Sequence, residues 1–308
     1  MINRHEDEYG MNQDQLPPRL GLLCALACYA LWGVLPIYWK LLSYIPFFEI
    51  YAHRMFWSFV FMLAICALTR RADLRPYFRD RRALLLLGAA GVLVASTWGI
   101  YIYAVNSGQI VEASLGYYIN PLLSIIAGVA VFREKLTRIQ KAATALAAAG
   151  VIYFTWNHGV FPWISVALAV LFALYGAVKK KAGYPAVPAL AVETALVAPI
   201  ALIFIAATFI LPGRAFLTSA GPWPPWGAIA GLMGGGVVTA LPLLLFARAA
   251  NVVPLSTIGF AQYLSPTLSL LIGVFIYGET FTAAHLVCFA LIWAGLLLVS
   301  AEAVLQRS

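Results

Sequence analysis

The sequence predicts an all-α integral membrane protein, ten transmembrane helices arranged as two inverted five-helix repeats. Three observations predict it. The composition is too poor in charge to cover a water-soluble surface. Ten apolar runs have membrane-spanning length. The chain also repeats itself after an odd number of spans.

Of 308 residues, 63% are hydrophobic and 10% charged, whereas a soluble domain carries about 25% charged residues. This excludes an ordinary cytosolic enzyme, a disordered chain and a nucleic-acid binder. The net charge of +8 is read as basic cytoplasmic loops, because the basic residues fall between apolar runs. Aromatics reach 14% with nine Trp, in keeping with aromatic belts at both membrane interfaces. Cys24, Cys28, Cys66 and Cys288 lie inside apolar runs without His or carboxylate at ligand spacing. They read as small buried apolar residues, and no metal or cofactor is expected. Residues 1–19 are polar and read as a cytoplasmic tail, with Met11 an alternative start. The first apolar run is too long for a signal peptide core.

The apolar runs sit at 20–42, 47–68, 83–105, 110–131, 137–155, 160–178, 187–210, 225–247, 254–276 and 281–303. Each is about 20 residues long and continuously apolar, which fits helices; barrel strands are about ten residues long and alternate. Orientation follows from Lys and Arg. Arg70, Arg71, Arg75, Arg79, Arg81 and Arg82 lie between spans 2 and 3, and Arg133, Lys135, Arg138 and Lys141 between spans 4 and 5. Lys179, Lys180 and Lys181 follow span 6, Arg248 follows span 8, and Arg4, Arg19 and Arg307 lie near the termini. Of the 20 basic residues, only Lys40, Arg54 and Arg214 fall elsewhere. The positive-inside rule then puts both termini in the cytoplasm, with residues 304–308 a short C-terminal tail.

Shifted by 145 residues, Asn106–Gly150 overlays Asn251–Gly295. Tyr118 meets Tyr263, Pro121 meets Pro266, Ser124 meets Ser269, Gly128 meets Gly273, Glu134 meets Glu279 and Thr137 meets Thr282. A shift of 143 places A-L-W-G at 30–33 over A-L-Y-G at 173–176. The halves are therefore 20–155 and 160–303. Five spans each makes them inverted copies, an arrangement typical of secondary transporters with a midplane site between repeats. Duplication without transport is the alternative.

W-G-V-L-P-I-Y-W-K at 32–40, E-I-Y-A-H-R-M-F-W-S at 49–58, E-A-S-L-G-Y-Y-I-N-P-L at 112–122, the E-T pair at 193–194 and G-F-A-Q-Y-L-S-P-T-L at 259–268 resemble the RarD branch of the EamA family. That family lies within the drug/metabolite transporter superfamily. The resemblance covers nearly all of the chain after residue 18. It implies ten helices, two EamA-type halves, a bacterial inner membrane, and export or facilitated movement of small molecules. The RarD branch is associated by name with chloramphenicol sensitivity, which does not establish that compound as a substrate.

Candidate site residues come from polar groups at membrane depth. Pro121 and Pro266 are expected mid-span in spans 4 and 9, each leaving a carbonyl without its donor, at Tyr117 and Gln262. Freed carbonyls in a membrane need a cavity, water or a polar partner. Ser114, Tyr117, Tyr118 and Asn120 cluster at one proline, and Gln262, Tyr263 and Ser265 at the other. A packing kink is the alternative. Arg54 lies about 10 Å below the outer end of span 2, and Glu193 about six residues into span 7. Such residues mark a substrate path or a structural ion pair, and both readings stand. Glu49, Glu112 and His285 read as structural or interfacial. Trp32, Tyr38 and Trp57 line the site or pack.

Glu134 and Glu279 read as turn and helix-start residues. Gly234, Gly235 and Gly236 read as a close-packing stretch, as do the alanines of 142–150. The sequence contains no H-E-x-x-H, paired Asp cluster, serine elbow or nucleotide motif. Its expected partners are a small-molecule substrate and membrane lipid, without nucleic acid, and a monomer is compatible with it. A passive channel or a membrane enzyme remains the alternative to a carrier.

Overall fold

The computed structural model describes residues 17–69, 73–133, 136–210, 224–250 and 261–305. Among them every regular element is helical. The N-terminal tail, Glu134, the loop bearing Arg214, and Asn251 through Phe260 lie outside the described residues.

The order is α1 (Pro18–Leu41), α2 (Phe47–Thr69), a short surface α3 (Arg75–Arg79), α4 (Arg81–Asn106), α5 (Ile110–Phe132) and α6 (Arg138–His158). Then follow α7 (Trp163–Ala182), α8 (Ala186–Ile210), α9 (Pro225–Ala250), α10 (Leu264–Leu271, continued by a π-helical turn Ile272–Ile276) and α11 (Ala283–Leu305). Eight of these, α1, α2, α4, α5, α7, α8, α9 and α11, are long and apolar enough to cross a membrane. The protein is an all-α, multi-pass membrane protein. The expected spans 5 and 9 are the two not among them. α6 is long, but its first turn carries Arg138, Gln140 and Lys141. Leu264–Ile276 is short, and residues 254–260 of the expected span 9 lie outside the described residues.

Local chemistry sets the helix ends. Asp80 accepts the Arg82 N–H at 2.9 Å and starts α4. Thr137 and Gln140 form a reciprocal capping box at α6. Gly159 and Gly183, in the left-handed region at φ 74° and 67°, end α6 and α7. Glu279 does start a helix, but in the other half: its two carboxylate oxygens accept the N–H groups of Ile110 and Val111 at 2.9 and 2.8 Å, at the head of α5. His285 takes the place that Gln140 holds 145 residues earlier, with Nδ1 accepting the Thr282 N–H at 3.1 Å. Lys40 donates to the Val105 carbonyl at 3.1 Å at the end of α4.

The helices pack in a pattern that maps onto itself when each half is exchanged for the other. α5 packs on α7 as α10 packs on α1; α4 on α7 as α9 on α1; α2 on α9 as α8 on α4. The pairs α6–α11, α2–α8 and α5–α10 each join a helix to its own counterpart. Two pairs of glycines show the exchange at atomic scale. A β-carbon at Gly150 would stand 3.2 Å from the Cys288 carbonyl, and one at Gly295 would stand 2.9 Å from that of Ala143. Residues 143 and 288, like 150 and 295, differ by the repeat length. Gly91 and Gly236, equally related, press onto the carbonyls of Glu193 and Trp57. Helices touch this closely only where no side chain intervenes. Gly234 likewise admits the Tyr38 hydroxyl.

Candidate functional site

Inside the helices lies a cavity of about 500 Å³, the size of a small-molecule site. A single chain supplies the whole lining. α1 contributes Tyr29 and Trp32, α2 Arg54 and Ser58, α4 Trp98 and Tyr101, and α5 Tyr117 and Asn120. The second half adds Phe172, Tyr175 and Lys179 of α7, Glu193 of α8, Phe246 of α9, and Ser265, Pro266 and Ser269 of α10, with Gln262 just before it.

The cavity spans the middle of the helices and extends along α7, α8 and α9 to Lys179, Val187 and Phe246, toward the end that carries the basic loops. The other end is filled by a buried cluster: Leu35, Trp39, Leu42, Ile45 and Ile50 against Tyr101, Ile102, Val105 and Ile110. There α4 also packs on α1 and α2. Among the described residues, no comparable contact joins its counterpart α9 to α7 or α8. Among the described residues the helix pairing is thus two-fold, while the large cluster built on α1, α2 and α4 closes one end and a smaller one, Ala25, Tyr29, Ala249 and Ala261, lies at the other.

Arg54 is 5% exposed. Its guanidinium lies over the Trp98 ring at 4.0 Å from the centroid, a cation–π contact that offsets part of the cost of burial. Tyr51 and Tyr117 are within electrostatic reach. Its Nε has no hydrogen-bond partner, and neither has Nε1 of Trp32. Ser58 donates to the Arg54 carbonyl at 2.7 Å and so caps no side chain in the cavity.

Glu193 is fully buried and paired. Lys179 meets one carboxylate oxygen at 2.6 Å and the Tyr175 hydroxyl donates to the other at 3.2 Å. Lys179 was expected in the loop after span 6. Instead α7 runs on to Ala182, and the Lys179 side chain, still 23% exposed, meets the Glu193 carboxylate on α8.

Of the expected site residues, Trp32, Arg54, Tyr117, Asn120, Glu193, Gln262, Ser265 and Pro266 line the cavity. Tyr118, Tyr263, Tyr38 and Pro121 do not. The Tyr118 hydroxyl bonds to Thr267, and its ring stacks on that of Tyr263 at 6.1 Å. The Tyr38 hydroxyl donates to the Gly231 carbonyl, tying α1 to α9. Pro121 is inside a continuous α5. Pro266 stands in the first turn of α10, and just before it the chain turns at Gln262 and Tyr263 after a helical Ala261, so helical structure is interrupted at this proline. The Gln262 carbonyl is not free, since it accepts the Ser265 N–H at 3.3 Å. Sequence reasoning missed Trp98, Tyr101, Tyr29 and Tyr175. Trp98 and Tyr101 are three apart and share a helix face, a signal that every apolar helix of this chain also carries.

Comparison with known proteins adds the family. The EamA-like transporter family matches this sequence twice, over residues 19–156 and 162–301. The chain is 41% identical over 288 residues to "Uncharacterized transporter YojE" of Bacillus subtilis, covering 90% of this chain and 92% of that one. It is 38% identical over 292 residues to "Protein RarD" of Escherichia coli, covering 94% and 97%. It is 31% identical to "Chloramphenicol-sensitive protein RarD" of Pseudomonas aeruginosa, covering 90% and 92%. A crystal structure 19% identical in sequence shares the fold with a TM-score of 0.58 over 90% of this chain and 96% of that one.

Proposed function

The chain belongs to the EamA-like transporter family, in its RarD branch, and from that premise we propose a secondary transporter of small metabolites or drugs that works by alternating access between two inverted five-helix halves. Ten helices cross the membrane in this reading, with α6 and the α10 segment completing the eight long apolar ones. Both termini face the cytoplasm of a bacterial cell and the protein sits in the inner membrane. The central site lies where Trp32, Arg54, Tyr117, Asn120, Glu193, Gln262 and Ser265 meet.

One observation carries the reading: two-fold helix pairing around a cavity that is packed shut at the α1, α2 and α4 end and extends toward the other. Two inverted halves with equivalent interfaces can exchange conformations. The exchange would open the end now closed by α1, α2 and α4 and close the end toward which the cavity extends, between α7, α8 and α9. In the proposed orientation this structure faces the cytoplasm. A passive channel has no use for a sealed end that alternates.

Counterflow in proteoliposomes tests the proposal. Purified protein is reconstituted with unlabelled compound inside and tracer outside, across a panel of metabolites and drugs. The name of the Pseudomonas relative puts chloramphenicol on that panel. A carrier accumulates tracer transiently against its gradient. Simple equilibration with every compound would point to a channel, and conversion of a compound to a new product would point to an enzyme.

A further inference from the structure

The ionisable groups of the cavity leave one charge over. Glu193 and Lys179 neutralise each other at 2.6 Å. Arg54 is the remaining cation, and among the described residues it is in no ion pair. Its Nε lacks an acceptor, and so does Nε1 of Trp32 on the same cavity. Two residues on the cavity wall therefore carry a buried donor in want of an acceptor, and one of them is charged. Its walls beside Arg54 are aromatic, with Trp98 under the guanidinium and Tyr101 and Tyr117 packed edge to face next to it.

The geometry points to a substrate class: an organic monocarboxylate with an aromatic or apolar body, its carboxylate on Arg54 and its body against Trp98, Tyr117 and Trp32. A buried guanidinium over a ring is compensated only in part, and an anion within hydrogen-bond reach completes it. The planar fork of arginine matches a carboxylate in particular. A single uncompensated cation matches a single negative charge. A dianion would bring one charge too many, and an amine would add a second cation to a site that already has one. The apolar lining supplies binding through burial of the ligand body. This inference rests on the transporter reading above for the word substrate, although the binding site itself does not.

Binding to the purified full-length protein in lipid nanodiscs tests it with two matched sets of probes. Indole-3-acetate, indole-3-acetamide and tryptamine share one ring and are anionic, neutral and cationic. Phenylacetate, phenylacetamide and phenethylamine do the same with a smaller ring. The carboxylate of at least one set is expected to bind at least about tenfold more tightly than its amide, and the amine more weakly still. Arg54→Leu should erase the preference and Arg54→Lys should retain part of it. Trp32→Phe, which keeps a ring but removes the N–H, should reduce it. Should Arg54→Leu fail to elute as a folded monodisperse species, the wild-type ranking and the other two variants still decide. Equal or tighter binding of the amide or amine, a preference that survives Arg54→Leu, or no carboxylate binding in either set would overturn the inference. Carboxylate binding without counterflow would sink the transporter reading alone. Counterflow of amides or amines but not of carboxylates would sink the substrate class alone.

Discussion

Tyr118 and Tyr263 stack on each other with ring centroids 6.1 Å apart and planes 10° from parallel, and each occupies the other's position in the repeat. A residue that touches its own counterpart lies at the relating axis, so this pair marks the axis between α5 and α10. The stack should couple the halves. In a double-mutant cycle with Tyr118→Ala and Tyr263→Ala, thermal or denaturant unfolding is expected to give an interaction energy of about 0.5–1.5 kcal/mol. A coupling indistinguishable from zero would remove the stack from the account.

The α6–α11 interface should behave as a two-fold contact. Gly150→Leu and Gly295→Leu each force a side chain into a neighbouring backbone carbonyl. Each is expected to lower stability by about 1–3 kcal/mol, and the two by similar amounts. Unfolding midpoints of the two variants, measured side by side, check this. A large difference between them would contradict the equivalence of the two contacts.

The Lys179–Glu193 pair should matter more when half broken than when absent. Glu193→Gln leaves a cation beside a buried amide, at an expected cost of up to about 3–5 kcal/mol, reduced because the Lys179 side chain is 23% exposed. The double change Lys179→Met with Glu193→Leu should recover most of that loss. Comparing their unfolding midpoints tests it. A double variant as unstable as the single would show that the charges themselves are needed.

Glu279 holds the start of α5 from across the halves. Glu279→Ala removes both acceptors and the charge at that helix head, for an expected loss of about 1–2 kcal/mol. Hydrogen exchange of the first turn of α5 should rise in this variant while that of α8 stays as it was. Unchanged exchange at Ile110 and Val111 would show the cap to be idle.

The spans and the repeat were legible in the sequence because length, hydropathy and ordered Asn, Pro, Glu and Gly matches survive without any structure. Which face of a helix looks inward was not. Tyr117 and Tyr118 are neighbours in sequence and about 100° apart around α5; the first lines the cavity and the second stacks on α10. A soluble helix would reveal its inner face by polarity. Here lipid is as apolar as the core, so Trp98, Tyr101 and Tyr29 carry no mark that separates them from lipid-facing aromatics such as Trp156 or Trp226. Lys179 was read as a loop charge because basic residues collect at membrane ends, and its carboxylate partner sits on another helix.

Alternating access is tested most directly by pulsed electron spin resonance on two spin-labelled pairs in nanodiscs. Labels at Ser43 and Ser107 report the end sealed by α1, α2 and α4. Labels at Lys181 and Leu245 report the other end, toward which the cavity extends between α7 and α9. With indole-3-acetate titrated in, each pair is expected to show two distance populations whose proportions change in opposite directions, one end closing as the other opens. Single, fixed distances at both ends, or two ends that open together, would contradict a carrier built from two exchanging halves.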